Sequence, residues 1–393
     1  LPEITGRICP APCEYSCVLG INDDAVTIRE NELAIVENGF KKGWVGSNPP
    51  RTRTGKKVAV VGSGPAGLSC AAQLNQAGHE VVVFERDDRP GGILRYGIPD
   101  FKLEKHVIDR RIDLWQKEGI VFKTGVAVGE DYPASRLLEE YDAVCLAGGS
   151  REPRDLKIPG RELKGIYFAM DYLVQSNRRV AGERIPADDL LDAKEKRVVI
   201  IGGGDTGADC VGTANRQGAR SLLQIEILPK PPERRTPEYP WPQYPMLLKR
   251  SSSHEEGGER DWAVHTRRFI GKNGWVRKLS CIRVEFEKRS DHRPLAMKEI
   301  PGTEFEIEAD MVILALGFLH PEHAGLLAQL EVHLDERGNV KTDENYMTSI
   351  NKIFSAGDMR RGQSLIVWAI AEGRRCAFCM DKYLMGRSYL PVF

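Results

Sequence analysis

The stretch from Lys56 to Ala71, KKVAVVGSGPAGLSCA, decides the fold. Lys57 to Val61 is a short apolar strand, and Gly62-Ser63-Gly64-Pro65-Ala66-Gly67 follows it directly. Leu68 to Gly78 reads as a helix, and Glu80 to Phe84 as a second strand that ends at Glu85. This is the context in which a glycine loop holds a dinucleotide. Of the glycines at 62, 64 and 67, one makes a tight turn, one lets a diphosphate approach the backbone, and one lets helix pack on strand. The start of the helix supplies unpaired N–H groups and partial positive charge to the diphosphate. Glu85, at the strand tip, is placed to accept hydrogen bonds from ribose hydroxyls.

The same pattern returns later. Arg197 to Ile201 is a strand, Gly202-Gly203-Gly204-Asp205-Thr206-Gly207 follows, and a helix runs through Cys210 to Gln217. The next strand, Ser221 to Leu228, carries Glu226 near its end. An acid there favours NADH because it repels a 2′-phosphate. Arg234 and Arg235 lie a few residues on and could pair with that phosphate, or be solvated loop charges. The two units form a degenerate repeat at long spacing.

Other marks surround the first unit. Gly91-Gly92 follows Glu85, Gly148 sits at the end of the strand Ala143 to Ala147, and Ile353-Phe354-Ser355 runs into Gly357-Asp358. A helix is expected from Ser364-Leu365 to Met385. This set resembles the flavoprotein fold with two dinucleotide-binding domains. The resemblance implies that Gly62, Gly64, Pro65, Ala66 and Gly67 take the FAD diphosphate, near Gly91, Gly92 and Gly148. It implies that Asp358, after Gly357, binds the ribityl chain, and that Gly202, Gly204, Asp205, Thr206 and Gly207 take NAD(P)H. The helix start at Ser364-Leu365 would stabilise negative charge at N1 and O2 of reduced flavin.

The expected fold class is α/β, with two Rossmann-like domains. The FAD domain is discontinuous, at 55–190 and 310–393, and the NAD(P)H domain is inserted at 191–309, with β-rich connections. Residues 1–54 form a separate helical, cysteine-bearing segment, closed by a Pro- and Gly-rich linker near residues 46–55. Residues 229–262 begin as a long Pro-rich, aromatic stretch, which is either a lid or docking surface or a solvated excursion.

Acidic and basic residues balance at 56 each, which gives no reason to expect nucleic acid or a membrane surface as partner. No apolar run is long enough to span a bilayer. No signal peptide is visible and the first residue is not Met, so a processed chain or a fragment is expected. Nine cysteines, an odd number, argue for a reducing compartment, the cytoplasm. Cys70, Cys145, Cys210, Cys281, Cys376 and Cys379 read as core. Cys9, Cys13 and Cys17 are crowded together, and their spacing suits an iron–sulfur cluster or part of one.

The runs GRICPAPCEYSC (6–17), VGSGPAGLSCA (61–71), RYGIPDFK (95–102), GGGDTGADCVGT (202–213) and AGDMRRGQSLIVWAIAEGR (356–374) are together similar to the glutamate synthase small (β) subunit family. The resemblance covers essentially the whole chain. It implies hydride transfer from NAD(P)H to FAD, then electron flow through iron–sulfur centres to a large (α) subunit that makes glutamate from glutamine and 2-oxoglutarate. Related modules of NAD(P)H:ferredoxin or pyrimidine-reductase type share the same halves. One departure stands out. The family usually carries a further Cys group upstream, and Thr5 stands where some members have another Cys. Cys9, Cys13 and Cys17 alone do not complete a 4Fe-4S cluster, which takes four thiolates.

Overall fold

A computed structural model of the chain describes residues 1–287 and 296–391. The first sheet has five parallel strands, in the order Ile353–Ser355, Ala143–Leu146, Lys57–Val61, Glu80–Phe84 and Val121–Lys123. Its central strands are unbroken apolar runs because helices cover both faces. On one face, helix Pro65–Gln76 packs against the long helix Ile366–Met385. Gly373 makes that approach possible: a Cβ there would lie 2.2 Å from the Ala66 carbonyl oxygen.

The second sheet also has five parallel strands, in the order Ile166–Phe168, Met311–Leu314, Arg197–Ile201, Ser221–Glu226 and Glu259–Trp262. This corrects the boundaries drawn from sequence. Ile166–Phe168 and Met311–Leu314 were allotted to the first unit, yet both pair within the second. The second unit therefore begins before residue 191 and ends after residue 309. Each apolar run is compatible with either sheet, and only pairing assigns it. A smaller antiparallel sheet, Val264–Lys272, Trp275–Glu287, Ala296–Glu299 and Phe305–Glu308, covers one flank.

The connection leading to Ala143, expected to be β-rich, carries more helix than strand. Helix Lys105–Lys117 buries Val107, Ile108, Ile112 and Trp115, a face with helical spacing. Only Val121–Lys123 is a strand there.

The N-terminal segment has helices Pro2–Ile8 and Ile28–Lys41. It is fastened to the first unit. Ile4 enters that core, and the buried Glu3 carboxylate meets Arg111 at 2.6 Å. Glu37 accepts from Arg110 and Arg7, each at 2.8 Å, and Arg110 above all holds its carboxyl down at about 2. Among the described residues, no helix is long and apolar enough to cross a membrane.

Candidate functional site

Each parallel sheet delivers its glycine loop at the carboxyl end of its central strand. After Val61 the chain turns at Gly62 and enters the helix at Pro65, whose missing N–H costs nothing in the first turn. A Cβ on Gly67 would lie 1.9 Å from the Gly62 carbonyl oxygen, and one on Gly207 would lie 2.2 Å from that of Gly202. Only glycine lets each helix start against its own strand.

The two acids at the strand ends are held alike. Glu85 accepts from the Ser63 N–H at 3.0 Å, from the Ser63 hydroxyl, and from the Asp87 N–H at 3.0 Å. Glu226 accepts from the Gly203 N–H at 2.6 Å and the Leu228 N–H at 3.1 Å. Each carboxylate therefore grips the second residue of its glycine loop. The Ser63 hydroxyl also accepts from the Gly91 N–H at 2.9 Å, which draws in the Gly91-Gly92 turn.

The second loop has a further brace that the sequence reading missed. Gln224 donates to the Gly202 carbonyl at 2.7 Å and accepts from His254 Nε2 at 2.8 Å. The amide's orientation makes Nε2 the donor, so Nδ1 accepts from the Ser251 N–H at 3.2 Å. Burial pushes the His254 pKa down to about 4, which keeps the ring neutral, as this tautomer requires.

A cavity of about 880 Å³ lies where the carboxyl ends of the two sheets face each other. Gly62, Gly64, Pro65, Ala66, Glu85, Gly92, Gly148, Asp358 and Ser364 line it from the first unit. Of the second loop's proposed residues, Thr206 lines it, joined by Phe168, Met170, Leu314 and Gly317 from the second sheet and its margins. Gly67 and Gly91 stand behind the wall as packing and tether. Asp358 is set back in the wall. Burial pushes its carboxyl up to about 6, although Ser364 donates to it at 2.8 Å. Leu365 caps the long helix, which starts at Ile366 rather than at Ser364. Glu372, also missed from sequence, reaches back from that helix. It accepts from the Gly357 N–H at 3.0 Å and from Arg360 at 2.8 Å, fixing the Gly357-Asp358 turn.

Two parallel sheets, each with a glycine loop and a gripping acid, thus meet at one cavity. Residues 56–373 match the family model described as pyridine nucleotide-disulphide oxidoreductase. The chain is 53% identical over 394 residues to the glutamate synthase [NADPH] small chain of Mycobacterium tuberculosis, covering all of this chain and 80% of that one. It is 47% identical over 400 residues to the glutamate synthase [NADH] of Schizosaccharomyces pombe, covering 99% of this chain and 19% of that one. The chain belongs to the glutamate synthase small-chain family. It is an NAD(P)H-dependent flavoprotein oxidoreductase by family and by fold. Among solved structures, M. tuberculosis FprA in complex with NADPH shares the fold, with a TM-score of 0.67 at 19% identity over 84% of this chain and 85% of that one.

In this member of the glutamate synthase small-chain family, the basic pair near Glu226 is split. Arg235 donates to the carbonyls of Tyr239 at 2.9 Å, Gln243 at 2.5 Å and Tyr15 at 3.0 Å. It organises its own loop through these carbonyls. Arg234 is exposed. The Pro-rich stretch does not line the cavity and is largely exposed, yet it touches the N-terminal segment. Ser16 donates to the Pro242 carbonyl at 2.7 Å, and the Tyr15 and Tyr244 rings meet edge to face at 5.2 Å. The loop docks on the cysteine segment.

Cys9 and Cys17 are partly buried and Cys13 is exposed. The Cys9 sulfur accepts from the Ala11 N–H at 3.4 Å. Backbone N–H groups of Val26 and Leu19 hold the Cys17 thiol below its ordinary range. Backbone donors around sulfur suit thiolate ligands of an iron–sulfur centre. These three supply fewer ligands than a 4Fe-4S cluster takes, so they fit it only in part. Among the described residues, the one tight set of three donor atoms is elsewhere: Cys70, Cys145 and Cys376, all buried.

Proposed function

We propose that this chain is the electron-input subunit of a glutamate synthase, passing electrons from NAD(P)H to a large subunit that makes glutamate from glutamine and 2-oxoglutarate. The observation that carries the reading is the single cavity shared by both sheets, in a chain 53% identical to a glutamate synthase small chain. FAD, when bound, supplies the ring that accepts hydride and gives up electrons singly.

The chain's own residues do the rest. The helix start at Pro65-Ala66-Gly67 binds the FAD diphosphate, and Glu85 takes the ribose hydroxyls. Asp358 accepts from the ribityl chain. The start of helix Ile366–Met385 offers partial positive charge to a reduced ring. Gly202, Gly204, Asp205, Thr206 and Gly207 hold the nicotinamide nucleotide, and Phe168 and Met170 exclude water between the two cofactors. Coenzyme choice rests on Glu226 against Arg234. Cys9, Cys13 and Cys17 mark the side where electrons leave, and free thiols throughout suit the cytoplasm.

Anaerobic titration with NADH and with NADPH tests this. Bleaching of a flavin band near one equivalent of reductant is expected, and the more effective nucleotide names the coenzyme. A protein with no flavin band, or a flavin that neither nucleotide bleaches, overturns the proposal.

A further inference from the structure

A single buried cysteine needs no special account, since it packs as a small apolar residue. Four sulfurs meeting at one point do. Cys70 comes from helix Pro65–Gln76, Cys145 from strand Ala143–Leu146, and Cys376 and Met380 from helix Ile366–Met385. All four are 0% exposed. The three Sγ atoms lie within 4.8 Å of one another, and Cys145 and Cys376 are 3.8 Å apart. Met380 Sδ is 4.0 Å from Cys70 Sγ, which adds a thioether to the thiols.

The spacing has a size attached to it. Metal–thiolate bonds of about 2.3 Å, arranged in a plane around one ion, put the sulfurs about 4 Å apart. The 3.8 Å separation of Cys145 and Cys376, and the 4.8 Å limit on all three, agree with that value. They fit one ion rather than an iron–sulfur cluster, whose irons spread their thiolates and take a fourth.

Charge narrows the ion. The surrounding core is apolar, with Val58, Val60, Leu74 and Phe354 among its members. Three thiolates there would be costly without matching positive charge. A monovalent soft ion needs one thiolate only. Cys145 suits that role by position: it stands on the strand between the two helices, with its sulfur 3.8 Å from that of Cys376. Thiols and a thioether are the donors that select Cu(I) among the biological metals.

We propose that Cys70, Cys145, Cys376 and Met380 form a buried site for one monovalent soft metal ion of the Cu(I) and Ag(I) class. Binding breaks one S–H bond, releases one proton, and forms metal–sulfur bonds without any change of oxidation state. The site becomes neutral overall. Filling it ties together the helix of the first glycine loop, the strand that leads to Gly148, and the helix that begins beside Asp358.

The test uses the whole flavin-containing protein, produced anaerobically with Cu(I) and dialysed against a Cu(I) chelator. Cys9, Cys13 and Cys17 also bind soft metals, so a C9S/C13S/C17S variant runs beside the wild type. Expected is one copper retained per chain in the C9S/C13S/C17S protein, a raised unfolding temperature on loading, and loss of that copper when Cys376→Ala is added to the same protein. X-ray absorption on the C9S/C13S/C17S protein needs no core substitution. An all-sulfur shell at about 2.3 Å supports the site. Copper that the chelator strips, copper kept by Cys376→Ala, or a shell of nitrogen or oxygen overturns it.

Discussion

Asp358 is the most instructive residue to perturb, because its cost and its use can be separated. In the flavin-free protein its carboxyl is pushed from an ordinary 3.8 to about 6 by burial. The folded state therefore binds the proton more tightly than the unfolded chain does. Stability is lost as pH rises from 3.8 towards 6, and the loss is complete above that window. At about 1.4 kcal/mol for each tenfold in proton affinity, the penalty is at most about 3 kcal/mol at pH 8 and about 1.6 kcal/mol at pH 5. Asp358→Asn keeps the oxygen that accepts from Ser364 and removes the charge. Urea unfolding of flavin-free wild type and variant should show the variant more stable, by a margin that grows between those two pH values. FAD binding should weaken at the same time, about tenfold or more, because an amide oxygen is a poorer acceptor than a carboxylate. A variant no more stable than wild type, or a gain equal at both pH values, refutes burial of the charged carboxylate as the cause.

Other substitutions probe other parts of the site. Gly67→Ala places a methyl 1.9 Å from the Gly62 carbonyl, so the flavin-to-protein ratio of the purified variant should collapse; a fully yellow variant contradicts the packing argument. Glu226→Ala should lower kcat/KM for NADH about tenfold, the worth of a charged hydrogen bond, with a smaller effect on NADPH. An unchanged preference removes Glu226 from the ribose site. Arg235→Ala should leave the NADH-to-NADPH preference where it is and speed protease cleavage between residues 229 and 250. A selective loss of NADPH use would restore it as a phosphate ligand.

What could be read from sequence was whatever is encoded locally. The glycine loops, Glu85, Glu226 and the Gly357-Asp358 turn each sit within a short window whose chemistry is complete in itself. The cavity gathers much of the first set. What could not be read depends on partners far along the chain. Met311–Leu314 is an apolar strand in either sheet, and its pairing with Arg197–Ile201 decides which. Arg235 resembled a phosphate ligand because it follows Glu226 closely. Its actual acceptors include a carbonyl 220 residues away. Glu372 was in plain view within the last family motif, but only the folded helix aims it at Gly357. Helix Lys105–Lys117 was legible from its apolar spacing and was passed over.

The docking of the Pro-rich loop changes how the three parts of the chain can move. The N-terminal segment is pinned to the first unit at Glu3–Arg111 and Glu37–Arg110. The first unit is pinned to the second by Lys102–Asp209 at 2.5 Å, and by Arg216 stacked 4.0 Å over Phe101. The second unit returns to the N-terminal segment through Arg235 and Tyr15. Three bodies joined end to end keep two independent hinges, whereas three bodies joined in a ring keep far less freedom. The second unit cannot swing without dragging the cysteine segment along or breaking a side of the triangle. The second glycine loop and the cysteine segment thus share one mechanical frame.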